Sequence, residues 1–165
     1  MPEARARRLI RAAPALVFDF IADIDNAPRW MFGVREVRGA IHRPVREGDR
    51  LRIRLVAGGR LADSEWVIGR CEPPRLLTSS GRALGATGRL EVTCEPAGGQ
   101  ETQVTQRLIY QLPGGPLGLM AARFGVSGIL DLQAQHSLQT LAGILEAGAR
   151  GSAREAKGPE LPGYR

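Results

Sequence analysis

Lysine, histidine, cysteine and aromatic residues are all scarce in this 165-residue chain, and each scarcity closes off a class of function. The two cysteines, Cys71 and Cys94, and the two histidines, His42 and His136, are not spaced as a metal-ligand set. No metal site is therefore expected, and the cysteines read as reduced thiols in strands. The single lysine, Lys157, leaves no core amine for Schiff-base chemistry. Aromatics make up 5% of the chain, too few to build a stacking platform, so nucleic-acid binding is not expected despite a net charge of +6. Acids alternate with the arginines, and the charge reads as a solvated surface. No stretch approaches the roughly 18 consecutive apolar residues of a membrane span, and the arginine-rich start is not followed by a signal-peptide apolar run. A soluble, cytoplasmic protein is expected. Ser/His/Asp sets and glycine-rich phosphate loops are also missing, and no cofactor is expected.

What is present is a clear order of elements. Residues 5–11 read as a strand, and Pro14 opens a helix whose apolar positions Leu16, Val17, Phe20, Ile21 and Ile24 recur at helical spacing. The pattern breaks at Asn26 and Pro28, where a short second helix fits, and Trp30, Met31 and Phe32 follow in a row. From Glu36 onward the period changes to two. Val37 and Ile41 alternate with Glu36, Arg38 and His42, and Leu51, Ile53 and Leu55 alternate with Arg50, Arg52 and Arg54. Further strands are expected near 62–71, 75–80, 86–95 and 102–112, separated by Gly and Pro turns. A long helix is predicted from 117 to about 147 with Met120, Phe124, Ala134, Leu138, Leu141 and Leu145 as its apolar stripe. Residues 149–165 carry too little apolar content to pack and read as a disordered tail, leaving 1–148 as one domain.

Six consecutive strands without crossover helices imply an antiparallel sheet, and one long amphipathic helix must cover its apolar face. The expected fold is α+β: a curved seven-stranded antiparallel sheet wrapped around a long C-terminal helix, with two short helices between strands 1 and 2. In this order the chain resembles the polyketide cyclase/dehydrase and lipid-transport proteins of the START-like, helix-grip superfamily (SRPBCC). The resemblance is carried by IRAAP at 10–14, VFDFIADIDNAPRWMFGVREVR at 17–38, EPPRLL at 72–77, TGRLEV at 87–92 and TQVTQRLIYQL at 102–112. It implies a START-like ligand-binding domain, with a tunnel between sheet and long helix gated near the segment after helix one. Trp30 and Phe32 would then stand at the entrance, and plain packing of Trp30 against the long helix is a second reading, compatible with the first.

The residues themselves nominate what a ligand would meet. On the last strand Gln106, Leu108 and Tyr110 share a face with Val104, so two polar groups point to the apolar side. On the fourth strand Ser64 and Trp66 belong to the inward set with Ala62 and Ile68, although Val67 and Cys71 leave the phase ambiguous. On the long helix, at 100° per residue, Asp131 falls about 20° from Leu138, inside the stripe that also holds Phe124 and Ser127. A carboxylate there needs a partner, water or a proton. It either faces a polar cavity or escapes to a sheet edge. His136 and His42 project outward.

Two functions stand open. One is a carrier or binder of a hydrophobic small molecule, lipid- or polyketide-like; the other is a polyketide cyclase or dehydratase, for which Asp131 and Tyr110 are the catalytic nominees. A partner-binding role for the Arg50/Arg52/Arg54 face and homodimer formation are left open.

Overall fold

The structure is a computed structural model in which residues 2–39, 42–116, 120 and 125–156 are described. Strand β1 (Glu3–Ile10) leads to α1 (Pro14–Ala22), a single 3-10 turn (Ile24–Asn26) and α2 (Ala27–Trp30). Six strands follow in succession: β2 (Val34–Arg38), β3 (Arg50–Ala57), β4 (Arg60–Glu72), β5 (Leu76–Ala83), β6 (Ala86–Pro96) and β7 (Thr102–Gln111). The chain then enters α3 (Ser127–Ala156). All neighbouring strands pair antiparallel in the order β1-β7-β6-β5-β4-β3-β2, so the first strand closes against the last while β2 and β1 form the two edges.

Local chemistry explains the boundaries. Pro14 occupies the first turn of α1, where its missing N–H removes nothing from the helix. Helix α1 ends at Asp23, whose side chain accepts the Asp25 N–H and starts the 3-10 turn. Asn26 then ties the turn back to α1 by donating from Nδ2 to the Phe20 carbonyl at 3.1 Å. The β5–β6 hairpin turns on Leu84 and Gly85, both at positive φ, the geometry that matches the right-handed twist of paired strands.

One face of the sheet is apolar and covered. Ile10, Val17, Phe18, Val104, Leu138 and Leu141 are almost wholly buried where α1 and α3 meet the strands. Helix α3 lies chiefly along β1, placing Ala134, Leu138, Leu141 and Leu145 in the core. It also covers the open edge of that strand: Asp131 Oδ1 accepts the Arg5 N–H at 2.8 Å, and Glu146 Oε1 accepts the Arg11 N–H at 3.1 Å. Backbone donors that would template pairing with another chain are thus used internally.

Three expectations shift. Helix α3 continues to Ala156, beyond the boundary at 148 drawn from composition, because Ala149, Arg150 and the ARE run at 153–155 are good helix formers. The last nine residues of the expected tail, 157–165, lie outside the described residues. Met120, assigned to the apolar stripe, is 56% exposed. A short stretch of wider helical turn at Gly125–Val126 precedes α3, so the phase of α3 does not carry back to it. Strand β5 also runs on through Gly81 to Ala83, where a turn was expected.

Candidate ligand-binding site

The covered face of the sheet changes character along its strands. Toward Ile10 and Val104 it is a packed core; toward the opposite end a cross-strand row runs Leu51, Trp66, Gly81, Gly88, Tyr110. Here the strand-four ambiguity resolves. Ala62, Ser64 and Ile68 are buried on the inner face and Trp66 is half-buried among them. A register shift between Ile68 and Cys71 is what scrambled the alternation in the sequence.

Two glycines make room for the indole. A Cβ built on Gly81 would meet Trp66 Cδ2 at 2.4 Å, and one on Gly88 would meet Trp66 Cη2 at 3.5 Å and Leu108 Cδ1 at 3.3 Å. The ring therefore lies flat across β5 and β6 and converges with Leu108 over Gly88. Its Nε1 donates to Ser64 Oγ at 3.1 Å, and that hydroxyl donates to the Ile53 carbonyl at 2.9 Å. Ser64 is thus committed to holding Trp66. Sequence reasoning singled out Trp66 but passed over Gly81 and Gly88; the signal was a glycine on each of two neighbouring strands within a few residues of a hairpin.

Gln106 and Tyr110 are both buried, and Gln106 Oε1 and Tyr110 OH have no hydrogen-bond partner among the described residues. Burial, and secondarily the Asp131 carboxylate, push the Tyr110 phenol above its ordinary pKa. The hydroxyl therefore stays protonated at neutral pH and serves as a donor. Asp131, on the first turns of α3, is half-buried and occupied by the Arg5 N–H. It acts on Tyr110 through its charge. Ser127 opens α3 and is half-buried, and Phe124 lies outside the described residues.

The aromatic run after α1 divides. Trp30 is 4% exposed and belongs to the core, because α2 turns it back onto the sheet, whereas the family resemblance had put it at the entrance. Phe32 is 49% exposed; its N–H donates to Ser137 Oγ at 2.8 Å and its ring stands edge-on to His136 at 5.3 Å. His42 lies in the loop between β2 and β3, its Nδ1 2.8 Å from Asp49 Oδ1. Burial alone would raise the Asp49 carboxyl, but the Arg46 and His42 backbone N–H groups and the His42 ring hold it below its ordinary value. This is a loop anchor rather than a catalytic pair. Cys94 is buried, its thiol pushed up to about 12 by desolvation. Among the described residues no cluster of His, Cys, Asp and Glu could hold a metal, and no helix is long and apolar enough to cross a membrane.

Comparison with known proteins agrees with this architecture. The sequence profile of the family described as polyketide cyclase / dehydrase and lipid transport matches residues 1–146. Among solved structures, the Zhui aromatase/cyclase of Streptomyces sp. R1128 superposes with a TM-score of 0.74 at 15% identity, covering 92% of this chain and 97% of that one. A START superfamily protein from Mycobacterium smegmatis gives 0.69 at 14% identity, covering 88% and 97%. The Thermus thermophilus protein TTHA0849 gives 0.70 at 21% identity, covering 89% and 99%. At these identities the likeness is one of fold. No curated protein matches the sequence.

Proposed function

Because this chain belongs to the polyketide cyclase/dehydrase and lipid-transport family, we propose that it binds a small hydrophobic molecule, lipid- or polyketide-like, between the inner face of the sheet and the C-terminal helix. The observation that carries this reading is the pair of buried polar atoms on β7, Gln106 Oε1 and Tyr110 OH, neither of which has a hydrogen-bond partner among the described residues. Buried polar groups in folded proteins are nearly always paired, and an exception calls for an explanation, of which a bound molecule is one. A mostly apolar ligand with one or two oxygen or nitrogen functions supplies it. Tyr110 donates to a carbonyl or hydroxyl oxygen, Gln106 Oε1 accepts from a hydroxyl, and Trp66 and Leu108 provide the apolar wall.

The test is titration with the fluorescent apolar probe Nile red, together with native mass spectrometry of the purified protein. Saturable one-to-one binding, lost in Leu108→Glu while the circular dichroism spectrum is retained, supports the proposal. Binding that does not saturate, or that survives Leu108→Glu, rejects it.

A cyclase or dehydratase reading draws on one specific feature: a protonated phenol held near a carboxylate. Tyr110 would donate a proton to a departing or developing oxygen, and Asp131 would sustain the protonated state. If so, Asp131→Asn lowers turnover by something like 10² to 10⁴ with little change in substrate affinity. A carrier has no turnover to lose and changes affinity by about 1 kcal/mol.

A further inference from the structure

The outer face of the same sheet holds a concavity of its own. A cleft of about 630 Å³ crosses β3 to β6, bordered by Arg50, Arg52, Arg82 and Glu65. Its volume lies in the range of small-molecule sites. The register arranges its side chains in two cross-strand rows. One runs Arg52, Glu65, Arg82, Thr87 and the other Arg50, Val67, Ser80. All of these alternate with the inward residues Leu51, Trp66 and Gly81, so the two rows project from the face opposite the Trp66 and Tyr110 side chains, while Leu51, Trp66, Gly81 and Gly88 also line the cleft between the rows.

Ion pairing on this face is uneven. Strands β3 to β7 carry eight arginines, and Arg52, Arg54, Arg70, Arg89 and Arg107 each have a carboxylate within 4.0 Å. Of the other three, Arg60 stands at a hairpin tip, while Arg50 and Arg82 border the cleft. Neither of these two has an ion-pair partner among the described residues. The one pair inside the cleft, Arg52 with Glu65, is long at 3.8 Å, and its side chains are 78% and 79% exposed. Such a pair contributes little and yields readily to a better anion. Three guanidinium groups against one carboxylate leave the cleft with two excess positive charges. Beside them sit the hydroxyls of Ser80 and Thr87 as further donors, and Val67, 41% exposed, gives an apolar seat in the row of Arg50.

We propose that this cleft binds a small phosphate monoester, its phosphate among Arg50, Arg52 and Arg82 and its apolar part on Val67. A phosphate monoester carries close to two negative charges at neutral pH and three terminal oxygens, which match the excess charge and the forked donors. The Glu65 carboxylate competes with it for Arg52.

The test uses phenyl phosphate, inorganic phosphate and succinate as probes at pH 7.5, followed by amide chemical shifts in the full chain. Phenyl phosphate should saturate shifts at Ser80 and Thr87, and bind more tightly than inorganic phosphate. Arg50→Gln should weaken it about fivefold, the loss of one charge-assisted contact, and Arg50→Gln/Arg82→Gln should abolish saturation. Glu65→Gln should tighten it severalfold, an improvement that a merely structural role would not produce. Nile red binding should be the same in all these variants, which separates failure of this site from failure of the inner one. The proposal is overturned by any of four results: no saturation, a double variant that binds like the parent, succinate as tight as phenyl phosphate, or inorganic phosphate as tight as phenyl phosphate.

Discussion

Replacing Tyr110 with Phe should move stability and binding in opposite directions. Tyr110 is 3% exposed and its hydroxyl has no hydrogen-bond partner among the described residues. Burying a hydroxyl without a partner costs about 1–3 kcal/mol, so its removal with the ring left in place should stabilise the free protein by about 1 kcal/mol. For a chain of this length that is roughly 2–4 °C in melting temperature. The same hydroxyl is proposed to donate to the ligand, so Nile red affinity should fall about fivefold, the equivalent of one hydrogen bond. Urea unfolding of the free protein and probe titration give the two numbers independently. A third sign comes from pH. The folded-state pKa of Tyr110 lies above the unfolded one, so its proton leaves the unfolded chain first; stability present below the unfolded value near 10 is lost as pH rises toward the folded value. Tyr110→Phe should lack that alkaline decline. If Tyr110→Phe instead destabilises the free protein by about 1 kcal/mol or more, the hydroxyl has a partner within the fold and the reasoning that makes it a ligand donor fails.

The remaining expectations follow from geometry already described. Gly81→Ala drives a methyl into Trp66 and the Glu65 carbonyl, each 2.4 Å away, and should cost about 1–3 kcal/mol with a shift in tryptophan emission. Gly88→Ala, with its nearest neighbour at 3.3 Å, should cost clearly less in the same urea assay; equal costs would show that the indole does not lie over Gly81. Asp131→Ala removes the acceptor for the Arg5 N–H, and hydrogen exchange of the Arg5 amide should accelerate while core amides such as Val104 stay protected. Below the ordinary Asp range, stability contributed by Asp49 is lost as pH falls through its lowered folded value, so Asp49→Asn should flatten the acid limb of stability against pH. The limb should not vanish, because Glu3, Asp25 and Glu72, each bonded to arginine, are lowered as well.

Periodicity alone determined most of the architecture: the alternation along β3 and β7, the Pro14 helix start and the uninterrupted strand succession lead to a seven-stranded antiparallel sheet covered by one long helix. Those signals are local, because side-chain direction repeats every two residues in a strand and every 3.6 in a helix. The site was legible only in part. Gln106 and Tyr110 were placed on the inner face by counting from Val104, but that their polar atoms find no partner among the described residues depends on what β1, β6 and α3 bring near them. Asp131 projects into the apolar stripe on paper, yet in space the neighbouring edge strand offers it the Arg5 N–H, a backbone donor that no side-chain pattern reveals. Trp30 moved from a presumed entrance into the core because the short turn at Asn26 reverses its direction. The bed beneath Trp66 and the Arg52–Glu65 and Arg54–Asp63 pairs on the outer face exist only through cross-strand register, which sets residues distant in sequence side by side, and register is a property of the assembled sheet rather than of any one strand.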